Sequence, residues 1–152
     1  MRPAQAAGRR WLGASVLQLL FEGGEMIFGI GTDIVRVGRM REDLDRFGDR
    51  FAERILTATE LQEFRQNANK ANFLARRFAA KEAAAKAMGT GFRNGLKLRD
   101  IEITHDPQGK PMLQFYGHAQ RFVQEKHIVV AHISLADEQD HAVAFVTLES
   151  AS

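Results

Sequence analysis

Three charged side chains carry most of the chemical information in this sequence. Asp33 closes the glycine-containing segment GIGTD, and Glu82 and Lys86 lie four residues apart in the alanine-rich segment 72–91. Neither carboxylate has a histidine at i+4, so the oxygen ligands favour magnesium or manganese, with a substrate's phosphates completing the coordination. The competing interpretation is a solvated Glu82–Lys86 ion pair, which many helices carry, and the helix alone does not separate the two.

The element that must present Glu82 is a helix. The segment 72–91, NFLARRFAAKEAAAKAMGTG, consists largely of strong helix formers. Leu74 and Phe78 share a helical face with Glu82, which places this carboxylate at the edge of a buried stripe, where an unpaired charge is costly. Gly89 is expected to end the helix with a positive φ angle.

The element that must present Asp33 is a strand over residues 27–35, IFGIGTDIV. Alternation places Gly29, Gly31 and Asp33 on one face. The two glycines have no side chain, so the Asp33 carboxylate is the only side-chain group of the three. Glycine inside a strand marks the close approach of a ligand or of another backbone. Two interpretations stay open: a ligand lies against this face, or the glycines admit a packed helix and Asp33 caps the next helix along the chain.

The remaining sequence predicts helices that cluster in the first half of the chain, one further helix in the second half, and two hairpins there. Helices are expected over residues 36–47, 49–56, 57–66 and 117–126, and strands over 100–104, 112–115, 128–135 and 142–148. Thr57 and Glu60 have the spacing of a capping box, and alternation places Ile128 on the same face as His132. These elements predict an α+β fold, with a mainly antiparallel sheet packed against helices.

Composition limits the classes of function. The chain has 152 residues, a net charge of only +2 and no cysteine. The length suits one domain, and the lack of cysteine excludes thiolate and disulfide chemistry. A net charge this small gives no strong positive electrostatic field that would favour nucleic acid. No apolar run reaches the roughly 18 residues of a membrane span, so we expect no membrane partner and a cytoplasmic location. GxxxxGK[ST] and GxGxxG motifs are absent, which disfavours the common nucleotide-binding folds.

Residues 1–25 differ in character from the rest of the chain. They combine several arginines with a short apolar patch ahead of Met26. A targeting peptide, a regulatory arm and an upstream start codon compete as explanations, but the patch is short for a secretory signal and no A-x-A site comes after it. We expect a disordered leader or a start assigned upstream of Met26, with residues 26–152 forming a single domain.

Five segments, taken in order, resemble those of one enzyme family. They are GIGTDIVRVGRM (29–40), ILTATE (55–60), FLARRFAAKEAAAKAMGTG (73–91), GKP (109–111) and HISLAD (132–137). The sequence is similar to the bacterial holo-acyl-carrier-protein synthases, small 4′-phosphopantetheinyl transferases that modify the carrier protein of fatty-acid synthesis. The resemblance implies an α+β fold that assembles as a homotrimer, with active sites between neighbouring subunits.

The resemblance also implies a reaction. Enzymes of this family transfer phosphopantetheine from coenzyme A to a serine of the apo acyl carrier protein and release 3′,5′-ADP. Asp33 and Glu82 match the family's magnesium ligands, and Lys86 matches a lysine near the coenzyme A pyrophosphate. Arg77 and Lys81 are expected beside the same anion.

Further residues match the family's binding surfaces. His132 and Ser134 match the strand that lines the coenzyme pocket. The helical surface that receives the acidic carrier protein is matched by Arg39, Met40, Arg46, Arg50 and Phe51. Phosphoryl transfer needs positioning and charge neutralisation more than covalent help. Lys86 would therefore stabilise the transition state, and either Glu82 or a water on the metal would accept the serine proton.

Two other functions fit the same residues less well. One is a related transferase that serves polyketide or peptide synthetase carriers, but those relatives are much longer and internally duplicated. The other is a carrier-binding module without catalysis, which has no use for clustered metal ligands.

Overall fold

The secondary structure is that of a computed structural model, which describes residues 24–151. The strands are β1 (Glu25–Arg36), β2 (Ile101–His105), β3 (Pro111–Phe115), β4 (Ile128–Asp137) and β5 (His141–Ala151). The helices are α1 (Val37–Phe47), α2 (Asp49–Ile55), α3 (Ala58–Gln66), α4 (Lys70–Met88) and α5 (Gly117–Glu125), with a short 3₁₀ turn at Leu98–Asp100. Residues 1–23 of the expected leader lie outside the described part of the chain, so that expectation stays a prediction.

The strands in residues 24–151 pair antiparallel. β5 lies between β1 and β4 in a three-stranded sheet, and β2 pairs with β3 in a separate hairpin. The predicted α+β class is therefore confirmed. The strands run further than apolar alternation predicts: Arg36 pairs with His141, because the backbone ladder continues past the last apolar residues.

Helix α4 packs across one face of the three-stranded sheet, and two glycines of β1 set the distance between them. A Cβ on Gly31 would lie 2.0 Å from the carbonyl oxygen of Ala83, and a Cβ on Gly29 would lie 2.0 Å from that of Ala87. Only glycine allows the two backbones to approach this closely. The glycine face therefore receives a helix, and Asp33 is not a cap, because α1 begins without a side-chain cap.

The opposite face of this sheet, which we call the outer face, is apolar and exposed. Its exposed large side chains come from β1 and β5, and they are Ile27, Ile30, Ile34, Val143 and Phe145. Isolated exposed apolar residues are common on proteins, whereas neighbouring ones are typical of an interaction surface.

A bulge in β4 changes which side chains share a face of this strand. The register shifts between Ile128 and Val130, which makes Val129 the extra residue. Ile128 is buried as a result, whereas His132 and Ser134 are exposed on the outer face. The expectation that Ile128 and His132 share a face is wrong, because apolar alternation does not reveal an inserted residue.

Local cap and turn chemistry agrees closely with the sequence. Thr57 and Glu60 form a reciprocal capping box at the start of α3. Gly89 ends α4 in the left-handed region, with a φ of +81°. In the β2–β3 turn, the Asp106 carboxylate accepts hydrogen bonds from the backbone N–H groups of Gln108 and Lys110. None of the helices in residues 24–151 combines the length and the apolar character needed to cross a bilayer.

Candidate active site

β1 and α4 bring Asp33, Glu82 and Lys86 to one wall of the molecule. Asp33 lies two residues after Gly31, where β1 touches α4, and Glu82 and Lys86 lie one turn apart on that helix. The Lys86 ammonium donates to Asp33 Oδ1 at 2.9 Å and to the Thr32 carbonyl oxygen at 3.0 Å. Groups that are distant in sequence thus form one charged cluster, to which we refer below as the charged cluster.

The electrostatics of this cluster suit a bound cation. Burial raises the pKa of Glu82, and the nearby Asp33 carboxylate raises it further, whereas Lys86 and Arg39 act in the opposite direction. The Arg39 guanidinium lies 5.7 Å from the centroid of the Phe78 ring. A cation between the two carboxylates would relieve their repulsion.

The ligands available for such a cation are few. Within residues 24–151, no group of three or more histidine, cysteine, aspartate or glutamate side chains is placed to bind a metal ion. The cluster therefore offers two carboxylates, the number found in magnesium sites that waters and substrate phosphates complete.

Arg77 and Lys81 lie on a different face of α4. Lys81 is 0% exposed, and its ammonium donates to Glu60 Oε1 and to the Ile55 carbonyl oxygen, both at 2.6 Å. Arg77 is 4% exposed and lies 3.2 Å from Glu63 Oε2. The expectation that Lys81 contacts the coenzyme phosphates is corrected, because its side chain points into the core. The structure does not bring Arg77 to the charged cluster either.

His132 and Ser134 lie on the outer face of the sheet, on the side away from α4. His132 Nε2 is 3.4 Å from Glu149 Oε1 on the neighbouring strand. A cleft of about 520 Å³ beside His132 is lined by apolar residues of β3 and β4 and by Lys110 and Pro111 of the GKP motif. One subunit therefore carries the predicted coenzyme contacts on two opposite faces of one sheet.

The residues predicted to receive the carrier protein do not all reach the surface. Met40 is 0% exposed, which corrects its assignment, because α1 turns this side chain into the core. Arg46, Arg50 and Phe51 line a groove of about 460 Å³ between α1 and α2, which we call the α1–α2 groove. Arg39 does not line this groove.

Three further residues line the α1–α2 groove, and the predicted carrier surface included none of them. They are Asp43, Phe47, which is 53% exposed, and Arg54. Phe47 continues the apolar spacing of α1, which predicts a core residue, but the chain turns away at Gly48, where φ is +65°. Arg54 comes one helical turn after Arg50, and that spacing is the signal that could have found it.

Comparison with known proteins identifies the family. Residues 29–146 match the family model of the 4′-phosphopantetheinyl transferase superfamily. A holo-[acyl-carrier-protein] synthase of Halorhodospira halophila is 55% identical over 123 residues, which cover 81% of this chain and 98% of the relative.

Solved structures agree with that assignment. The holo-[acyl-carrier-protein] synthase of Neisseria meningitidis superposes with a TM-score of 0.77 at 49% identity, covering 82% of this chain and 100% of that chain. The Helicobacter pylori synthase in complex with coenzyme A gives a TM-score of 0.68 at 28% identity, covering 81% and 99%. The chain therefore belongs to the holo-[acyl-carrier-protein] synthase family, within the 4′-phosphopantetheinyl transferase superfamily.

Proposed function

We propose that the protein transfers the 4′-phosphopantetheine group of coenzyme A to a serine of an apo acyl carrier protein and releases 3′,5′-ADP. The single observation that carries this proposal is the meeting of Asp33, Glu82 and Lys86 across β1 and α4, with Lys86 Nζ 2.9 Å from Asp33 Oδ1. The H. halophila relative bears the name of this activity, and the H. pylori relative binds coenzyme A. Both support the same pair of substrates.

The charged cluster fits a divalent cation. Asp33 and Glu82 would hold Mg²⁺, or Mn²⁺ in its place, and the ion would neutralise charge on the coenzyme A diphosphate. The pKa of Glu82, raised by burial and by the Asp33 carboxylate, supports this assignment because both effects oppose a second bare negative charge at the site.

Lys86 is the group that we assign to the phosphate charge. Its side chain is half exposed and rests on Asp33, so it can turn toward a phosphate oxygen without leaving a buried partner. In the reaction, the serine oxygen forms a new bond to phosphorus while the bond to the 3′,5′-ADP oxygen breaks. A nearby ammonium stabilises the negative charge that develops on the leaving group.

The nucleophile comes from the carrier protein, so this chain needs to orient it and remove its proton. Glu82 lies in the charged cluster and is our candidate to accept the proton of the serine hydroxyl. The α1–α2 groove would hold the carrier, because its three arginines outnumber its one carboxylate, Asp43, and surround the rings of Phe47 and Phe51. Arginines beside aromatic side chains suit an acidic helix with an apolar stripe.

The complete site would form between subunits of a homotrimer. Asp33 faces α4, whereas His132 and Ser134 lie on the outer face, so the predicted coenzyme contacts of one subunit point in opposite directions. A second copy would present its own outer face to the charged cluster. The exposed side chains of Ile30 and Phe145 on that face are the kind of surface that an interface buries.

The wider role follows from the substrate. A carrier protein without phosphopantetheine cannot hold acyl groups, so we place the protein in fatty-acid biosynthesis, acting in the cytoplasm. Residues 26–152 would form the catalytic domain, and residues 1–25 would not take part in the reaction.

Incubation of the purified protein with coenzyme A, Mg²⁺ and apo acyl carrier protein tests the proposal. We expect mass spectrometry to show the carrier heavier by one phosphopantetheine group, and chromatography to show an equal amount of 3′,5′-ADP. The Asp33→Ala variant is the control for contaminating transferase. An unmodified carrier at equimolar protein would refute the function, and modification only of a peptide synthetase carrier would assign the related activity instead.

A further inference from the structure

A buried ion-pair network lies beneath α4, and it is separate from the charged cluster of Asp33, Glu82 and Lys86. It is centred on Glu60 and Lys81, both without exposed surface, and Arg77 lies beside them. Lys81 Nζ is 2.6 Å from Glu60 Oε1, and Arg77 Nε is 3.8 Å from Glu60 Oε2. The Glu60 carboxylate also accepts hydrogen bonds from the backbone N–H groups of Thr57 and Ile103.

Stability alone is a weak explanation for this buried ion-pair network. Burying two charges costs several kcal/mol of desolvation, and apolar side chains of similar volume are often equally or more stable in such positions. Burial lowers the pKa of Lys81, and the Glu60 carboxylate opposes that shift. A hydrogen-bonded ion pair has a defined geometry, which an apolar contact lacks. It can therefore fix the relative positions of the elements that it joins.

Lys81 joins the two helices that the proposed reaction requires. Its ammonium donates to the carbonyl oxygen of Ile55 at 2.6 Å, and Ile55 is the last residue of α2. α2 contributes Arg50 and Arg54 to the α1–α2 groove. On α4, Lys81 immediately precedes Glu82. One side chain therefore connects the proposed docking helix to the proposed metal-binding helix.

α2 has few other attachments to α4. It is a helix of seven residues, and among them only Ala52 and Ile55 are buried. α4, in contrast, is held against β1 by the backbone contacts at Gly29 and Gly31. Loss of the Lys81 hydrogen bond would therefore release α2 more than it would displace α4.

We propose that Lys81 is a positioning residue for the transfer reaction: it holds α2, and the carrier protein docked on it, at a set distance from Glu82. This inference rests on the proposed function. Lys81 has no exposed surface, and its ammonium is bound to Glu60 and Ile55, so it is not placed to bind either substrate. Its loss should therefore weaken the use of the carrier protein while the binding of coenzyme A is kept.

Two variants separate positioning from stability. Lys81→Met leaves the buried Glu60 carboxylate with only Arg77 as a cationic neighbour and should lower both Tm and transfer. The double variant Glu60→Gln with Lys81→Met removes the Glu60–Lys81 pair, leaves Arg77 paired with Glu63, and should regain most of the lost Tm. If Lys81 positions α2, the double variant still shows a KM for the apo carrier raised about tenfold or more, with the KM for coenzyme A within about twofold of wild type.

Ile101→Ala supplies a matched control for lost stability. Ile101 is a core residue of β2, and it lines neither the α1–α2 groove nor the cleft beside His132. Its truncation should lower Tm without raising the carrier KM. Recovery of the carrier KM together with Tm in the double variant would overturn the inference. An equal rise of the carrier KM in Ile101→Ala would overturn it too.

The failure of the inference is distinguishable from the failure of the proposed function. If the wild-type protein transfers nothing to the carrier, the function is wrong whatever the variants do. Binding of fluorescently labelled apo carrier, measured without coenzyme A, then tests the positioning of α2 directly. The double variant should bind the carrier about tenfold more weakly than wild type, and equal binding would refute the role of Lys81.

Discussion

Gly31→Ala is the substitution that tests most directly how the fold builds the charged cluster. A Cβ at this position would lie 2.0 Å from the Ala83 carbonyl oxygen and 2.6 Å from the Ala87 backbone nitrogen. Both atoms belong to the backbone of α4, so no rotamer change relieves the overlap. β1 and α4 must separate by roughly 1 Å, the scale of misplacement that lowers an enzymatic rate by about a hundredfold.

The expected result depends on where the separation acts. Asp33 lies on β1 and Glu82 on α4, so moving the two backbones apart widens the distance between the proposed metal ligands. We expect Gly31→Ala to weaken Mg²⁺ activation and to lower transfer by about a hundredfold. Overpacking should cost about 1–3 kcal/mol of the free energy of unfolding, which corresponds to roughly 2–4 °C of Tm for each kcal/mol in a chain of this size.

The assay is transfer to apo acyl carrier protein as a function of Mg²⁺ concentration, with Tm measured in parallel. Gly38→Ala is the matched control, because a Cβ there meets no heavy atom within 4 Å. That variant should keep its activity and lose no stability, since alanine is favoured over glycine in a helix. If Gly31→Ala kept the Mg²⁺ dependence and the rate of wild type, the close β1–α4 contact would not set the geometry of the site.

Four further predictions concern the site and its partners. Asp33→Ala and Glu82→Ala should each abolish transfer with Tm retained, because both are proposed metal ligands and both are partly exposed, outside the apolar core; wild-type rates in either would remove the metal assignment. Arg54→Glu should raise the carrier KM and reduce its dependence on salt, measured by initial rates from low to high NaCl, because a cation that attracts an acidic partner is lost; an unchanged salt dependence would place the carrier elsewhere. Phe145→Glu should dissociate the oligomer in light scattering and lower transfer, since it puts a charge into the proposed interface; a fully active monomer would contradict the site between subunits. Deletion of residues 1–25 should leave kcat/KM unchanged, and an inactive truncation would show that the leader takes part.

The local features of the fold could be predicted because short-range chemistry decides them. The capping box at Thr57 and Glu60, the end of α4 at Gly89 and the alternation that puts Asp33 beside Gly31 all depend on neighbours within a few residues. The same holds for Glu82 and Lys86, whose separation of one helical turn requires no knowledge of the rest of the chain.

Lys81 and Lys86 show where that reasoning stops. Both are lysines on α4, and the family resemblance predicts both beside the same phosphates. They differ by about 140° around the helix axis, which is enough to turn one into the core and the other toward solvent. The packing of α2 and α3 decides which side of α4 is covered. The sequence pattern of residues 70–88 does not predict that side.

The sequence by itself determined the identity of the chemical groups, their spacing within each element and the family to which the chain belongs. The tertiary structure alone decided that α4 lies on the glycines of β1, that Met40 and Lys81 are buried, and that His132 lies on the opposite face of the sheet from Asp33. The physical reason is that covalent spacing dictates which side chains share a face of one helix or strand. Which face is then covered depends on contacts between segments far apart in the chain, and a single inserted residue, as at Val129, is enough to change it.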